Sequence, residues 1–550
     1  MNWIFIILIL VILIYLLNHH LNKRKLRKIR LLNKNWGSPK EDEYFDFDTI
    51  EQYFVNTTKK EQAYHIISDQ ISNDLDINEI FKFIDRTTSK IGQQYLYFKI
   101  RTINNQNELY EFDKLVNLFK NDNKLRLNCQ MELLKLNTNS SYDLEKLINE
   151  VVVSKPNFYK LLLPLSLISI LSIIVGVFYP IAFLLLLPLF VINTVLHYKT
   201  KNYIRYYLSA VLQLKRTLNV SKKIVSNHKI KKYFSDLSFI KKISEISLKT
   251  SFISFEKQLG NEFAALFWLI IELIKIQFNI EAIIFYSFID DIIKKKEYID
   301  KMYCFIGEID SAISVASVSF ENNKICKPKF VDTKEIVIKN MIHPLINDCV
   351  PNDIKLQNKS LLLTGSNMSG KTTFIRMLAI NSILSQTLNI AYASELSIPY
   401  YKVYSSIRIE DDLFENTSYY LKEVLTIKDF IEISKAKYPS LFILDEIFKG
   451  TNTIERISGG KAILSYLNEE NNFVFVSTHD IELTELLVNN GYELYHFSEK
   501  IEKDELLFDH KLKKGKLKTR NAIKILELYG YPKEIISNAR KTEKTLANNK

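Results

Sequence analysis

Apolar and polar positions are arranged along this chain in three ways, and each marks a different kind of segment. Trp3–Leu17, WIFIILILVILIYLL, is apolar throughout; about 15 such residues is the short end of what crosses a bilayer. Leu161–Phe178 and Ile181–Leu196 form a second apolar region broken at Tyr179-Pro180, each arm close to spanning length. Elsewhere the spacing is helical. It runs through Ile77–Ile100 on both sides of a polar break at Arg86-Thr87-Thr88, through Leu109–Phe119 and Leu125–Leu136, and from Tyr203 to about Val318 with almost no Gly or Pro. That last stretch predicts an extended helical arm or bundle. Within it the run from Trp268 to Ile276 reads as a strongly apolar helix, which Glu272 and Lys275 assign to a core rather than to a fourth span. From about Cys326 short apolar strands alternate with helices, the pattern of an α/β domain with a mostly parallel sheet.

Charge placement orients the apolar runs. No Lys or Arg precedes the first, and Lys23-Arg24-Lys25, Arg27, Lys28 and Arg30 follow it without a small-residue cleavage site. This fits an uncleaved anchor rather than a secretory signal. Lys160 precedes the second region, and Lys199, Lys201 and Arg205 follow it. Both patterns place the bulk of the chain on the cytoplasmic side and the Tyr179-Pro180 turn outside. The localisation expected is therefore the inner (cytoplasmic) membrane. The 550 residues allow two or three domains, and a net charge of +12 admits an anionic partner such as nucleic acid or lipid, or a diffuse Lys-rich surface. Cys129, Cys304, Cys326 and Cys349 are far apart with no C-x-x-C pair, against a disulfide framework or a zinc site.

The chemistry concentrates in Leu361–Ile380, LLLTGSNMSGKTTFIRMLAI. An apolar strand, Gly365-Ser366-Asn367-Met368-Ser369-Gly370-Lys371-Thr372-Thr373 and an apolar-periodic helix make a complete G-x-x-x-x-G-K-[ST] in the strand–loop–helix context it requires. Glycines let backbone N–H groups turn toward a polyphosphate, and the helix N-terminus adds partial positive charge. Lys371 is expected to reach the β- and γ-phosphates and the Thr372 hydroxyl to ligate Mg²⁺, so ATP and Mg²⁺ are the expected cofactors. A second strand, Ser440–Leu444, ends in Asp445-Glu446. Asp445 is the candidate metal ligand, and Glu446 the group that orients or deprotonates an attacking water. A third strand, Phe473–Thr478, ends at His479-Asp480, placing His479 to sense the γ-phosphate. The acids Glu410, Asp411 and Asp412 read by residue type as a solvated loop, with Ser418 as an N-cap of the next helix.

These motifs, in this order, resemble the ATPase of the MutS DNA mismatch-repair family. The resemblance is carried by Gly365–Thr372, Asp411-Asp412-Leu with Ser418-x-Tyr420-x-x-Glu423, Leu444-Asp445-Glu446-x-x-x-Gly450-Thr451-x-Thr453, and Ser477-Thr478-His479-x-x-Glu482-Leu483-Thr484. Met341–Leu345 and Val350–Ile354 are similar to the family's segment before its phosphate loop, and Gly515 with Tyr531–Arg540 to its C-terminal helix-turn-helix. Glu308–Ala316, and Asp85–Thr88 with Gly92, resemble parts of its helical core. The resemblance implies a P-loop α/β ATPase over 326–545 that pairs as a homodimer, with Ser418 reaching the partner's γ-phosphate, and a helical arm moved by ATP hydrolysis. The remaining segments expected are an anchor at 1–18, a basic juxtamembrane linker at 19–60, core-like helices at 61–157, a transmembrane hairpin at 158–198 and lever-like helices at 199–325. Double-stranded DNA, mismatched or structured, is the implied partner. The chain departs from the family in having Asn416-Thr417 where a glycine precedes Ser418, no Phe-x-Glu placed to wedge beside a base, and an apolar hairpin inside the core region. These departures keep a second reading open, an ATP-driven membrane switch acting on a protein or lipid without DNA.

Overall fold

A computed structural model describes residues 2–40, 43–149, 155–253, 264–320, 322–366, 368–408, 419–448, 450–469, 471–502, 505–517 and 522–548. The chain divides into two compact units. The first comprises Met1–Lys60, Ile84–Lys99 and Glu111–Phe320; the second comprises Glu61–Phe83, Ile100–Tyr110 and Glu321–Lys550.

The first unit is helical. Its opening helix, Asn2–Lys34, continues past the apolar run and carries the Lys23–Arg30 cluster on the same rod, about 50 Å long. Residues 19–34 are therefore helix rather than the expected linker, because no Gly or Pro interrupts the chain before Gly37. The hairpin forms where the apolar pattern places it. Helix Tyr159–Phe178 ends at Tyr179, which Pro180 forces into extended geometry, and a 3₁₀ turn at Pro180–Leu185 leads into Leu186–Val225. The second arm and the helix beyond it are one 40-residue element. Three helical stretches, Phe5–Lys34, Tyr159–Phe178 and Pro180–Lys201, are long and apolar enough to cross a membrane, judged by length and composition.

The long helix Ile280–Val318 supplies the core of this unit. Its Asp310 carboxylate accepts hydrogen bonds from the Thr88 and Ser89 amides at 2.8 and 2.7 Å and from Ser89 Oγ at 2.6 Å, capping helix Lys90–Arg101. A side chain at Gly92 would collide with that carboxylate, so the polar break and its glycine serve one capping arrangement. Burial pushes the Asp310 carboxyl up to about 6, against hydrogen bonds that pull it down.

The second unit is built on a six-stranded sheet in the order Lys513–Lys514, Tyr492–His496, Ser360–Thr364, Phe473–Thr478, Ser440–Asp445, Lys402–Ser406. Neighbours are parallel except at the Lys513–Lys514 edge. The central strands are buried almost from end to end, as their unbroken apolar sequences require of a sheet covered on both faces. A four-stranded sheet, Lys329–Val331, Glu395–Pro399, Glu335–Met341 and Asn352–Gln357, lies in the same unit.

Residues 61–83 and 100–110 belong to this unit and not to the helical block assigned to 61–157. The reason is polar. Buried Asp74 accepts from Ser405 Oγ at 2.7 Å and from the Ile407 and Arg408 amides at 3.1 and 2.8 Å, occupying donors just beyond an edge strand. His65 Nε2 donates to Val403 O at 2.7 Å. Asp76 pairs with Arg408 at 2.6 Å and with Arg376 at 3.2 Å.

Candidate nucleotide site

Strand Ser360–Thr364 delivers the loop to the carboxyl edge of the sheet, and helix Lys371–Leu388 carries it away. Each glycine has its own cause. A Cβ at Gly365 would lie 2.7 Å from Ser369 Oγ and 3.0 Å from Phe497 O, and Gly370 has φ +108 at the helix N-cap, where an L side chain is strained. Met368 adopts φ 68 and is 82 % exposed, whereas Ser369 is buried. Ser366 Oγ donates to Glu499 Oε2 at 2.8 Å, and Thr373 lines the adjoining cavity. The Lys371 ammonium folds back across the loop to Gly365 O at 2.9 Å and Ser366 O at 3.0 Å. Asn367 and Ser418, with Asp411, Asp412 and the Asn416-Thr417 departure, lie outside the described residues.

The other two strands bring their acids and histidine to the same edge. Thr372 Oγ1 donates to Asp445 Oδ2 at 2.7 Å, and Ser477 Oγ donates to Asp445 Oδ1. A hydroxyl and a carboxylate side by side are hard oxygen donors suited to Mg²⁺. His479 Nε2 lies 2.9 Å from Glu446 Oε1 and 3.3 Å from Lys371 Nζ, so base, histidine and lysine form one contiguous group. The predicted catalytic and metal residues Lys371, Thr372, Asp445, Glu446 and His479 are therefore brought together.

The loop after Asp445 is shaped by residues whose part in it is not legible from residue type. Glu446 and Phe448 both have positive φ, 61 and 58, a conformation that costs an L-residue about 1–2 kcal/mol. Two hydrogen bonds hold it: Glu446 N donates to Ser477 O at 2.9 Å, and Phe448 N to the buried Glu423 Oε1 at 2.5 Å. Gly459 and Gly460, costly inside helix Thr453–Leu467, admit this loop; a Cβ at Gly460 would stand 3.0 Å from Ile447. Arg456 grips Asp480 through Nε and Nη2 at 2.8 and 2.7 Å, fixing the residue after His479. A guanidinium in the first turn of a helix opposes the helix dipole, and that was the available sequence signal for a nearby acid.

A cavity of about 450 Å³ adjoins the loop, with Lys371, Thr372, Asp445 and Glu446 at one end and Val350 and Phe497 among its apolar lining. His510 closes a side of it. Its Nδ1 donates to Ser369 O at 3.1 Å, and Asn352 holds its backbone by donating to His510 O at 3.0 Å. Sequence reasoning passed over His510, which stands in a strand-to-loop region without a motif.

A parallel sheet with this loop, a carboxylate beside the loop threonine and a second acid facing the lysine defines a P-loop nucleotide-binding domain. Residues 361–547 match the family model described as MutS domain V. The chain is 30 % identical over 270 residues to the DNA mismatch repair protein MutS of Aquifex pyrophilus, covering 48 % of this chain and 31 % of that protein. It is 32 % identical over 254 residues to the protein of the same name from Staphylococcus haemolyticus, covering 44 % and 28 %. The match to these curated relatives spans less than a third of their length. Over this domain the chain is similar to the MutS family.

Proposed function

We propose that this protein is a membrane-anchored ATPase that binds ATP with Mg²⁺ at the Gly365–Thr373 loop and hydrolyses it to drive a conformational change. The observation that carries the reading is the 2.7 Å contact between Thr372 Oγ1 and Asp445 Oδ2 beside the Glu446–His479 pair. The backbone amides of the loop and the Lys371 ammonium bind the polyphosphate, for which Lys371 exchanges its loop carbonyls for phosphate oxygens. Thr372 and Asp445 would hold the Mg²⁺, which when bound would supply positive charge to the phosphate oxygens. Glu446 orients the attacking water and takes its proton; His479 positions Glu446 and faces the γ-phosphate.

An inner-membrane location with the ATPase on the cytoplasmic side is supported by three helices long and apolar enough to span and by the Lys and Arg that flank them. The relatives' name, DNA mismatch repair protein, supports coupling to mismatched or structured double-stranded DNA in repair; a homodimer through the ATPase domain, with Ser418 completing the partner's site, is what the motif resemblance implies. The exposed apolar surface of the hairpin, Leu171 at 57 % for example, favours a second reading: a switch that acts on a protein or lipid partner without DNA.

One assay tests both. Detergent-solubilised protein hydrolyses ATP, Lys371→Ala loses ATP affinity, and Glu446→Gln binds ATP but turns over slowly; undiminished hydrolysis by Glu446→Gln ends the assignment. Adding homoduplex, mismatched and branched DNA across a salt titration separates the readings. Salt-sensitive binding that alters turnover supports DNA, and no binding at low salt supports the switch.

A further inference from the structure

The helical unit contains a break that spacing alone did not mark. Helix Ala264–Gln277 stops, Asn279 turns through left-handed geometry (φ 49), and helix Ile280–Val318 returns. The turn packs on the apolar hairpin through four side-chain hydrogen bonds. Ser166 Oγ donates to Phe278 O at 2.7 Å and Asn193 Nδ2 to Gln277 O at 2.7 Å, so two carbonyls at the helix end are satisfied without water. Asn279 Nδ2 donates to Asn193 Oδ1 at 2.8 Å, and Gln277 Nε2 to Ser169 Oγ at 3.1 Å. Non-helical backbone is tolerated at membrane depth only where protein meets its polar groups, and here side chains of the hairpin meet the Gln277 and Phe278 carbonyls.

Two further contacts fix the depth of the turn. Lys155 pairs with Asp290 at 2.5 Å and the Tyr159 and Tyr286 rings lie 5.1 Å apart, so the returning helix is level with the start of the hairpin at those points. From Tyr159 to Ser166 the hairpin rises about 10 Å, roughly two-thirds of the half-thickness of a bilayer hydrocarbon core. The charged residues of the broken segment face inward. Glu272 meets His197 at 3.5 Å, Lys201 at 3.3 Å and Lys275 at 3.6 Å, and Glu281 lies 3.9 Å from His197. What faces outward is apolar: Ile270, Leu273 and Ile274 are 49, 43 and 46 % exposed.

We infer that Ala264–Asp290 is a re-entrant helical hairpin that dips into the cytoplasmic half of the bilayer and returns to the same side, with Ile270, Leu273 and Ile274 against lipid acyl chains. This rests on the membrane reading of the Tyr159–Lys201 hairpin and departs from the expectation that Trp268–Ile276 is a core helix. The paired charges are what permit Glu272 and Lys275 at that depth.

The test uses the full chain with its four native cysteines replaced, reconstituted in phosphatidylcholine–phosphatidylglycerol vesicles. Ile274→Cys, Ile170→Cys and Lys296→Cys each carry an NBD label. Lipids spin-labelled on the acyl chain should quench 274 as they quench 170, while aqueous iodide should quench 296 alone. Quenching of 274 by iodide, with 170 still quenched only by lipid, overturns the re-entrant hairpin and leaves the membrane reading intact. Quenching of 274 by neither means that protein covers it, which also overturns the inference. Iodide quenching at 170 overturns the membrane reading itself and the inference with it.

Discussion

Glu446 and His479 face each other at 2.9 Å across the ends of adjacent parallel strands, with the Lys371 ammonium 3.3 Å from the same imidazole nitrogen. The contact makes the orientation of the carboxylate depend on the histidine. His479→Ala should therefore lower kcat about 10- to 100-fold while ATP affinity changes little, because the loop that holds phosphate is untouched. His479→Gln, which keeps a donor for the carboxylate, should lose less. Steady-state kinetics with a parallel nucleotide-binding titration separates the two parameters; equal losses in affinity and kcat would place His479 on the bound phosphate instead.

Glu423 is buried and its carboxylate accepts the Phe448 amide at 2.5 Å, steadying a loop with two residues of positive φ. Glu423→Ala leaves a buried N–H unpaired, at a cost of about 1–3 kcal/mol. The loop relaxes and Glu446 shifts with it, so kcat should fall at least about tenfold. Glu423→Gln retains an acceptor oxygen and should stay within a few-fold of the parent. Parallel Tm and ATPase measurements on both variants check this pair, and a Gln variant as impaired as Ala would show that charge rather than the hydrogen bond matters.

His65 is buried against Val403, and burial first, then the nearby Lys402 charge, lowers its pKa from 6.5 to about 4. A depressed histidine is neutral when folded and takes up a proton more readily when unfolded. Its stabilising contribution is complete above pH 6.5 and is lost as pH falls through 4, amounting to roughly 3 kcal/mol over that window. Hydrogen exchange at the amides of Lys402–Ser406 should show protection falling across this range in the parent and a flatter profile in His65→Gln. Identical profiles would remove His65 as the cause.

The site was legible where chemistry demands local spacing. Gly365 to Thr372 must be contiguous because one turn of backbone encloses a phosphate, and Asp445-Glu446 and His479 announce themselves by following apolar strands. Glu423 and Asn352 could be quoted from a family likeness, but their contacts with Phe448 and His510 are not local. His510 and Arg456 were missed because a ring facing a loop carbonyl and a helix residue gripping an acid leave no periodic trace. The break at Gln277–Asn279 was missed for a related reason. Apolar periodicity continues through it, and what stops the helix is hydrogen bonding to Ser166 and Asn193 on another hairpin.

The amino-acid order by itself determined the phosphate loop, the strand-end acids, the apolar hairpin and the change from helical to α/β architecture near Cys326, since sterics, burial period and turn chemistry act over a few residues. Only the tertiary structure decided that residues 61–83 join the nucleotide-binding unit, that Asp310 caps a helix more than two hundred residues earlier, and that Glu423 holds the loop bearing Glu446. Those outcomes depend on which buried polar groups find partners once distant segments meet, and hydrogen-bond satisfaction across a core has no counterpart in the local pattern.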